Sequence, residues 1–349
     1  MNLLGDPSSY AQIVPKLRYL KSSLISTKRL KEISPSLSDI YVALRDTKYR
    51  SLTEAKSAED IEKGLIREFY KLVDSISKYV PKDALELTQS FAIEDEINDS
   101  LLVAKNLAEG RQVDKDNLAS LLWEHSYLDK ILAEPDSLAG LQMFLEVSLR
   151  YKRVYNIVNE ASSIYNETKN PNVFPWYSLM ATSQLYSNAM KKLSSIDRDY
   201  TKKIICPMIE GRMALGLIQS SMLKIPAKTL ELVLGNVNAC NISWNDLFAI
   251  YERESGDTMA LASSLKNFFK HISVEGKSLE EIIDSIRVSS IMVSKKNSEA
   301  TFKYYPFTPA LIAATLMLLK IEMHNLRSII MSSLIKLSKE EYESLLIEL

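Results

Sequence analysis

A metal centre would be built first from histidine and cysteine, and this chain has 3 of the former and 2 of the latter. His125, His271 and His324 lie far apart, without partners at the spacings of roughly two to five residues that ligands on one helix or turn need. Cys206 and Cys240 sit in apolar, helix-like surroundings and read as buried free thiols, which implies a reducing, cytoplasmic setting. Gly211 and Gly216 have the gap of a phosphate loop, but Leu217-Ile218 stands where Lys and Ser/Thr would supply the charge and the magnesium ligand. They read instead as glycines at a helix crossing. No G-x-S-x-G elbow, H-E-x-x-H pair or Cys/His catalytic signature occurs. Glu94, Asp95 and Glu96 form an acidic run that reads as a solvated helix start. No catalytic, cofactor-binding or metal-binding residue can be argued, and the chain is expected to be no enzyme and to carry no cofactor.

What remains is a polar notch in the most apolar part of the chain. Glu322, Asn325 and Arg327 interrupt a helix whose other positions, Leu311, Leu318, Ile321, Leu326, Ile329, Ile330 and Leu334, recur at helical spacing. Polar groups beside such a face are either paired inside the fold or turned toward a partner. The spacing leaves both open: a hydrogen-bond network that fixes register, or a surface shared with another protein.

The elements that hold the notch form a recognisable unit. The long helix spans Phe307 to about Leu334, and Ser338 with Glu341 is a capping box opening a short helix with Tyr342, Leu345 and Leu346. Stepping back 112 residues from Ser338 gives Pro226, and again gives Asp114 (338 − 112 = 226; 226 − 112 = 114), each suited to a helix start. In this register Leu118, Leu230 and Tyr342 coincide, as do Leu121, Val233 and Leu345, then Leu122, Leu234 and Leu346. Ile97, Ile209 and Ile321 superpose in the preceding helices. The small residues Ala104, Gly216 and Ser328 are followed four positions later by Ala108, Ser220 and Ser332. Small residues one turn apart let a second helix approach closely. The expected organisation is three helical repeats, 1–113, 114–225 and 226–349, the last with closing helices.

Along the chain, helices are expected over Tyr10–Leu30, from Ser38 or Asp39 to about Tyr49, and from Ser57 or Ala58 to near Pro81 with Ile61, Leu65, Phe69, Leu72, Val73 and Ile76 inward. The next runs from Ala84 to Glu109, with Gly110 as its cap. Others cover Leu118–Leu132, Leu138–Asn166, Trp176–Leu193, Tyr200–Leu223 with Pro207 at its start or a kink, a segment capped by Ser243, one capped by Asp257, and Ile282–Val293 behind the Ser278/Glu281 box. Lys295–Lys303 is polar and reads as a surface loop.

Composition agrees with an all-α protein: 9 glycines and 11 prolines in 349 residues leave few breaks in a chain rich in helix formers. With 43 basic and 44 acidic residues interspersed, there is no basic block to neutralise phosphates, so nucleic acid is excluded as a partner class. The first ten residues lack the charge and apolar run of a secretory signal. The longest uncharged apolar run, Tyr304–Leu319, is shorter than the roughly 20 residues a bilayer requires.

The closing motif Glu322-x-x-Asn325-Leu326-Arg327-x-Ile329, followed by Leu334 to Leu346, resembles that of the family formed by the C-type component of archaeal A-type ATP synthases and the d-type component of V-type ATPases. Tyr10, Arg18, Leu24, the stretch Leu44-Arg45-Asp46-Thr47-Lys48-Tyr49 and the Ile61-Glu62 helix are similar to the family's first repeat. Departures occur: Glu94 to Asn98 is followed by Asp99-Ser100 where the family often continues Asn-Ile/Leu-Lys, and Lys202–Met213 lacks the asparagine. The resemblance implies three similar helical subdomains in a funnel about a pseudo-threefold axis. It implies a non-catalytic adaptor at the cytoplasmic side of the membrane, joining the proteolipid ring to the central stalk and coupling ion translocation to ATP synthesis or hydrolysis, with no small-molecule substrate. The alternative, from the residues alone, is a helical repeat scaffold for an unrelated protein partner.

Overall fold

The computed structural model describes residues 7–349 apart from 35, 114–117, 119–136, 148–150, 235–239, 241, 270 and 305–306. The described residues are helical and form no β-strand. In chain order the α-helices are α1 (Val14–Ser22), α2 (Thr27–Lys31), α3 (Leu37–Leu44), α4 (Ala58–Ser77), α5 (Lys82–Ala108), α6 (Ser137–Val147), α7 (Lys152–Thr168), α8 (Val173–Lys191), α9 (Ser195–Met222), α10 (Ala227–Leu234), α11 (Trp244–Glu254), α12 (Thr258–Phe268), α13 (Leu279–Tyr304), α14 (Pro309–Ile335) and α15 (Lys339–Leu345). They form two compact units, the first from Met1–Phe91, Ala189–Pro207 and Ile291–Leu349, the second from Ala92–Asn188 and Met208–Ser290.

In the first unit the chain is organised around α14. Its start is fixed by Thr308, whose hydroxyl accepts from the Ala310 N–H at 3.2 Å, with Pro309 in the first turn where a missing N–H costs nothing. Every residue from Pro309 to Leu319 is buried, as expected of a helix apolar on all sides. It packs on α1, α3, α4 and α15. Leu326, Ile329 and Ile330 of α14 share one cluster with Leu30, Ile40, Leu44, Tyr49, Ile61, Leu65 and Tyr342. The inward face of α4 is the expected one except that Leu72 is only half-buried. The Ser338/Glu341 capping box is present in both directions, at 3.3 and 2.8 Å.

In the second unit α6 packs on α7, α10 on α7 and α11, and α11 on α12. Asp257 caps α12 by accepting from the N–H groups of Met259 and Ala260. Gly211 is a crossing glycine: a Cβ there would lie 2.7 Å from that of Ser290, too close for any side chain. Trp176 donates its indole N–H to Ser220 at 2.8 Å, so one of the small residues of the repeat register is also a hydrogen-bond acceptor.

Several expectations change. The segment Tyr10–Leu30 is not one helix: α1 ends at Ser22 and α2 restarts behind Ser26, whose hydroxyl accepts from Arg29 N–H. The cap of α3 is Ser36, ahead of the expected Ser38 or Asp39. Lys295–Lys303 is the second half of α13, not a loop. Its hydroxyls are spent on the helix backbone, Ser298 donating to Ser294 O and Thr301 to Asn297 O, both at 2.8 Å, so these two polar side chains can be buried. The helix expected over Leu138–Asn166 is two, α6 and α7, and Pro207 lies inside α9, which starts earlier, at Ser195. Neither cysteine is the expected free thiol: Cys206 and Cys240 are both disulfide-bonded and so give no support to a reducing compartment. Asp114, Leu121, Leu122 and His125 lie outside the described residues.

Candidate functional site

Glu322 lies fully buried on α14, and each of its oxygens is occupied. Oε1 accepts from the backbone N–H of Ile25 at 2.6 Å; Oε2 accepts from the Tyr49 hydroxyl at 2.7 Å and pairs with Lys48 Nζ at 2.6 Å. The Ile25 N–H is free of helix bonding because the chain breaks between α1 and α2, so the carboxylate satisfies the break that the apolar periodicity had hidden. Lys48 also reaches the carbonyl of Ser23 at 3.2 Å, on the same break. Burial, and then the neighbouring Glu322, holds the Tyr49 hydroxyl well above its ordinary pKa, so it remains a donor. Burial also lowers the Lys48 ammonium from its usual value, against the pull of Glu322. The group is a clamp, with three of the carboxylate's roughly four acceptor sites taken up inside the fold.

Asn325 and Arg327 act on other segments. The fully buried Asn325 amide donates from Nδ2 to the carbonyl of Ile347 at 2.7 Å and accepts that residue's N–H on Oδ1 at 2.8 Å, holding the tail as a neighbouring strand would. Thr27 supports the same tail, donating to Ile347 O at 3.2 Å. Arg327 donates from Nε to Glu62 Oε1 at 2.6 Å and from Nη2 to the same oxygen at 2.5 Å, with about a third of its side chain, 35%, still exposed. The three notch residues thus grip three different partners: the early loop, the tail and α4. Lys48, Tyr49 and Glu62 all belong to the stretches from the first repeat singled out in the sequence, and the fold brings them to the closing motif.

The acidic run is not a solvated start. Glu94 and Glu96 are buried in the middle of α5. Within the second unit Glu94 Oε2 accepts from Tyr186 at 2.8 Å, and Oε1 pairs with Arg212. Glu94 raises the Arg212 guanidinium further, while burial first and Glu94 second push the Tyr186 hydroxyl well up. Glu210 was missed. It is buried, its Oε2 has no hydrogen-bond partner, and burial pushes its carboxyl up to about 7. The signal for it was in the register, since 322 − 112 = 210 makes it the counterpart of Glu322. Among the described residues no group of histidine, cysteine and carboxylate side chains could hold a metal ion, and no described helix is long and apolar enough to cross a membrane.

The sequence matches the family model of the ATP synthase (C/AC39) subunit over residues 13–345. The chain belongs to this family. The match takes in both the Lys48/Tyr49 and Glu62 segments and the Glu322, Asn325 and Arg327 motif that they bind. Membership in the C/AC39 family implies a component of a rotary ATPase, associated with that complex, and the family is non-catalytic. Comparison with curated proteins finds no match.

Proposed function

We propose that the protein is the rotor adaptor of an A-type or V-type rotary ATPase, peripheral at the cytoplasmic side of the membrane, joining the proteolipid ring to the central shaft. In this reading three helical modules, 1–113, 114–225 and 226–349, surround a pseudo-threefold axis, and the chain passes rotation between ring and stalk while ATP chemistry occurs elsewhere in the complex. The observation that carries it is the family match across nearly the whole chain.

The recurrence of modules has local support. Lys224 and Lys336 are 112 apart (336 − 112 = 224) and both adopt the left-handed conformation, at φ 52° and 56°. The following N–H closes back over the helix end in each case, Ile225 to Ser220 O at 2.9 Å and Leu337 to Ser332 O at 3.1 Å. Gly110 (φ 67°) and the Arg111 to Asn106 bond of 2.8 Å make the same closure in the first module, two residues earlier than the register predicts (337 − 224 = 113). The clamps also suit the task, because an adaptor under torque needs its segments tied by short, buried, charge-assisted bonds.

The test is deletion of the chain from the assembled enzyme. ATP-driven ion pumping should be lost while ATP hydrolysis by the soluble head persists. Full retention of coupled pumping would overturn the proposal.

A further inference from the structure

The second unit contains a cavity of about 490 Å³ that no clamp uses. It lies between faces of three helices. Asn98 and Lys105 are two turns apart on α5; Arg212, Leu215, Gly216 and Gln219 follow one stripe of α9, with Leu223 just past its end; Trp176 and Leu179 come from the first turns of α8. Gly216 keeps it open on one side: a Cβ there would come within 3.1 Å of the Trp176 ring. This volume is within the range, roughly 300–1,000 Å³, of sites that hold small organic ligands.

The polar lining is of one electrical character. Lys105 and Arg212 line the cavity and no Asp or Glu does. Arg212 is positioned rather than consumed: its Nη1 is held by Glu94, which is itself fixed by Tyr186, while 40% of the side chain remains exposed. Lys105 is only loosely engaged, since Glu109 lies 4.0 Å away and is closer to Arg111, at 3.3 Å. Asn98 spends its carbonyl oxygen on the Ser178 hydroxyl at 2.5 Å, which directs its amide donors elsewhere. Two cations and an amide make a donor set for a phosphate or carboxylate. Leu179, Leu215, Leu223 and Ile225 give the wall an apolar part, beside the neutral polar Asn172, Ser178, Gln219 and Ser220.

We infer that this cavity binds a small organic anion, its phosphate or carboxylate head on Arg212 and Lys105 and a short apolar body against the leucines. The site is independent of the rotor reading and lies within one unit.

Isothermal titration of the full chain with hexyl phosphate, inorganic phosphate and 1-hexanol tests it. Hexyl phosphate should bind at least roughly tenfold tighter than inorganic phosphate, because the tail leaves water, and 1-hexanol should give no saturable heat. Lys105→Gln should weaken hexyl phosphate roughly tenfold, and Lys105→Glu should abolish its binding. Arg212→Lys keeps the charge beside Glu94 but loses the planar fork, and should weaken binding with little change in Tm. If that variant does not fold, the Lys105 pair, on a partly exposed side chain, decides. Hexyl phosphate binding no tighter than inorganic phosphate, or binding to Lys105→Glu as to the unaltered chain, would overturn the inference.

Discussion

Two glutamates in one register show how a residue's neighbours set its worth. Glu322 has three donors, and removing its charge leaves Lys48 buried beside a neutral amide. Glu322→Gln should therefore cost roughly 3–5 kcal/mol, the range for breaking a buried ion pair. Adding Lys48→Met should return part of the loss, and urea unfolding of the two single variants and the double variant measures the coupling. Glu210 is buried without a partner for Oε2 and is pushed up to about 7 from an ordinary 4.5. Between those values the folded chain holds one proton more than the unfolded chain, so stability falls as pH rises through the window and is level on either side. A shift of this size corresponds to about 3 kcal/mol. Glu210→Gln should remove that fall and exceed the unaltered protein in stability above pH 7. Equal pH dependence of the unfolding free energy in the two proteins would show that the carboxyl is not held neutral.

At the scale of elements, the tail is the segment whose loss is most readable. Asn325 is fully buried and both ends of its amide are spent on Ile347. Removing residues 347–349 leaves these groups unpaired and should cost roughly 2–4 kcal/mol, far more than an exposed tail would. Thermal unfolding of the shortened chain checks it; an unchanged Tm would mean that water replaces the tail. By contrast Ser338→Ala, which opens an exposed capping box, should cost only about 1 kcal/mol. The sequence exposed this cap and hid the tail contact because the cap is local, its two partners one helical turn apart, whereas Asn325 and Ile347 share no periodicity. The same holds for Glu322, whose partner Tyr49 is 273 positions away. The break after Ser22 was concealed for a different reason: Leu20, Leu24 and Ile25 continue the apolar period across it. In α13 the disguise ran the other way, because a half-buried helix whose inward hydroxyls, Ser298 and Thr301, bond to its own backbone looks like a polar loop. Fold class and most helix positions were legible, since they follow from period and punctuation; the clamps were legible only as a notch and as family-like stretches, not as pairs.

At the scale of the molecule, recurrence along the chain and compactness in space are different properties. The proposed repeat register would divide the sequence into consecutive thirds, whereas the compact units draw on separate segments. What links the units covalently is helix: α5, α8, α9 and α13 each contribute residues to both. An α-helix is cooperative along its length, and melting one part leaves unpaired N–H and C=O groups at a new end. Interrupting four helices in mid-course is therefore costly, and the chain should unfold in a single transition with calorimetric and van't Hoff enthalpies equal. Glu322→Gln offers a sharper test, because it perturbs only the first unit. Hydrogen exchange should show the slowest amides of α14, in the first unit, and of α11, in the second, losing the same protection in that variant. Loss confined to α14 would mean that the units melt separately and that the shared helices fray at their midpoints.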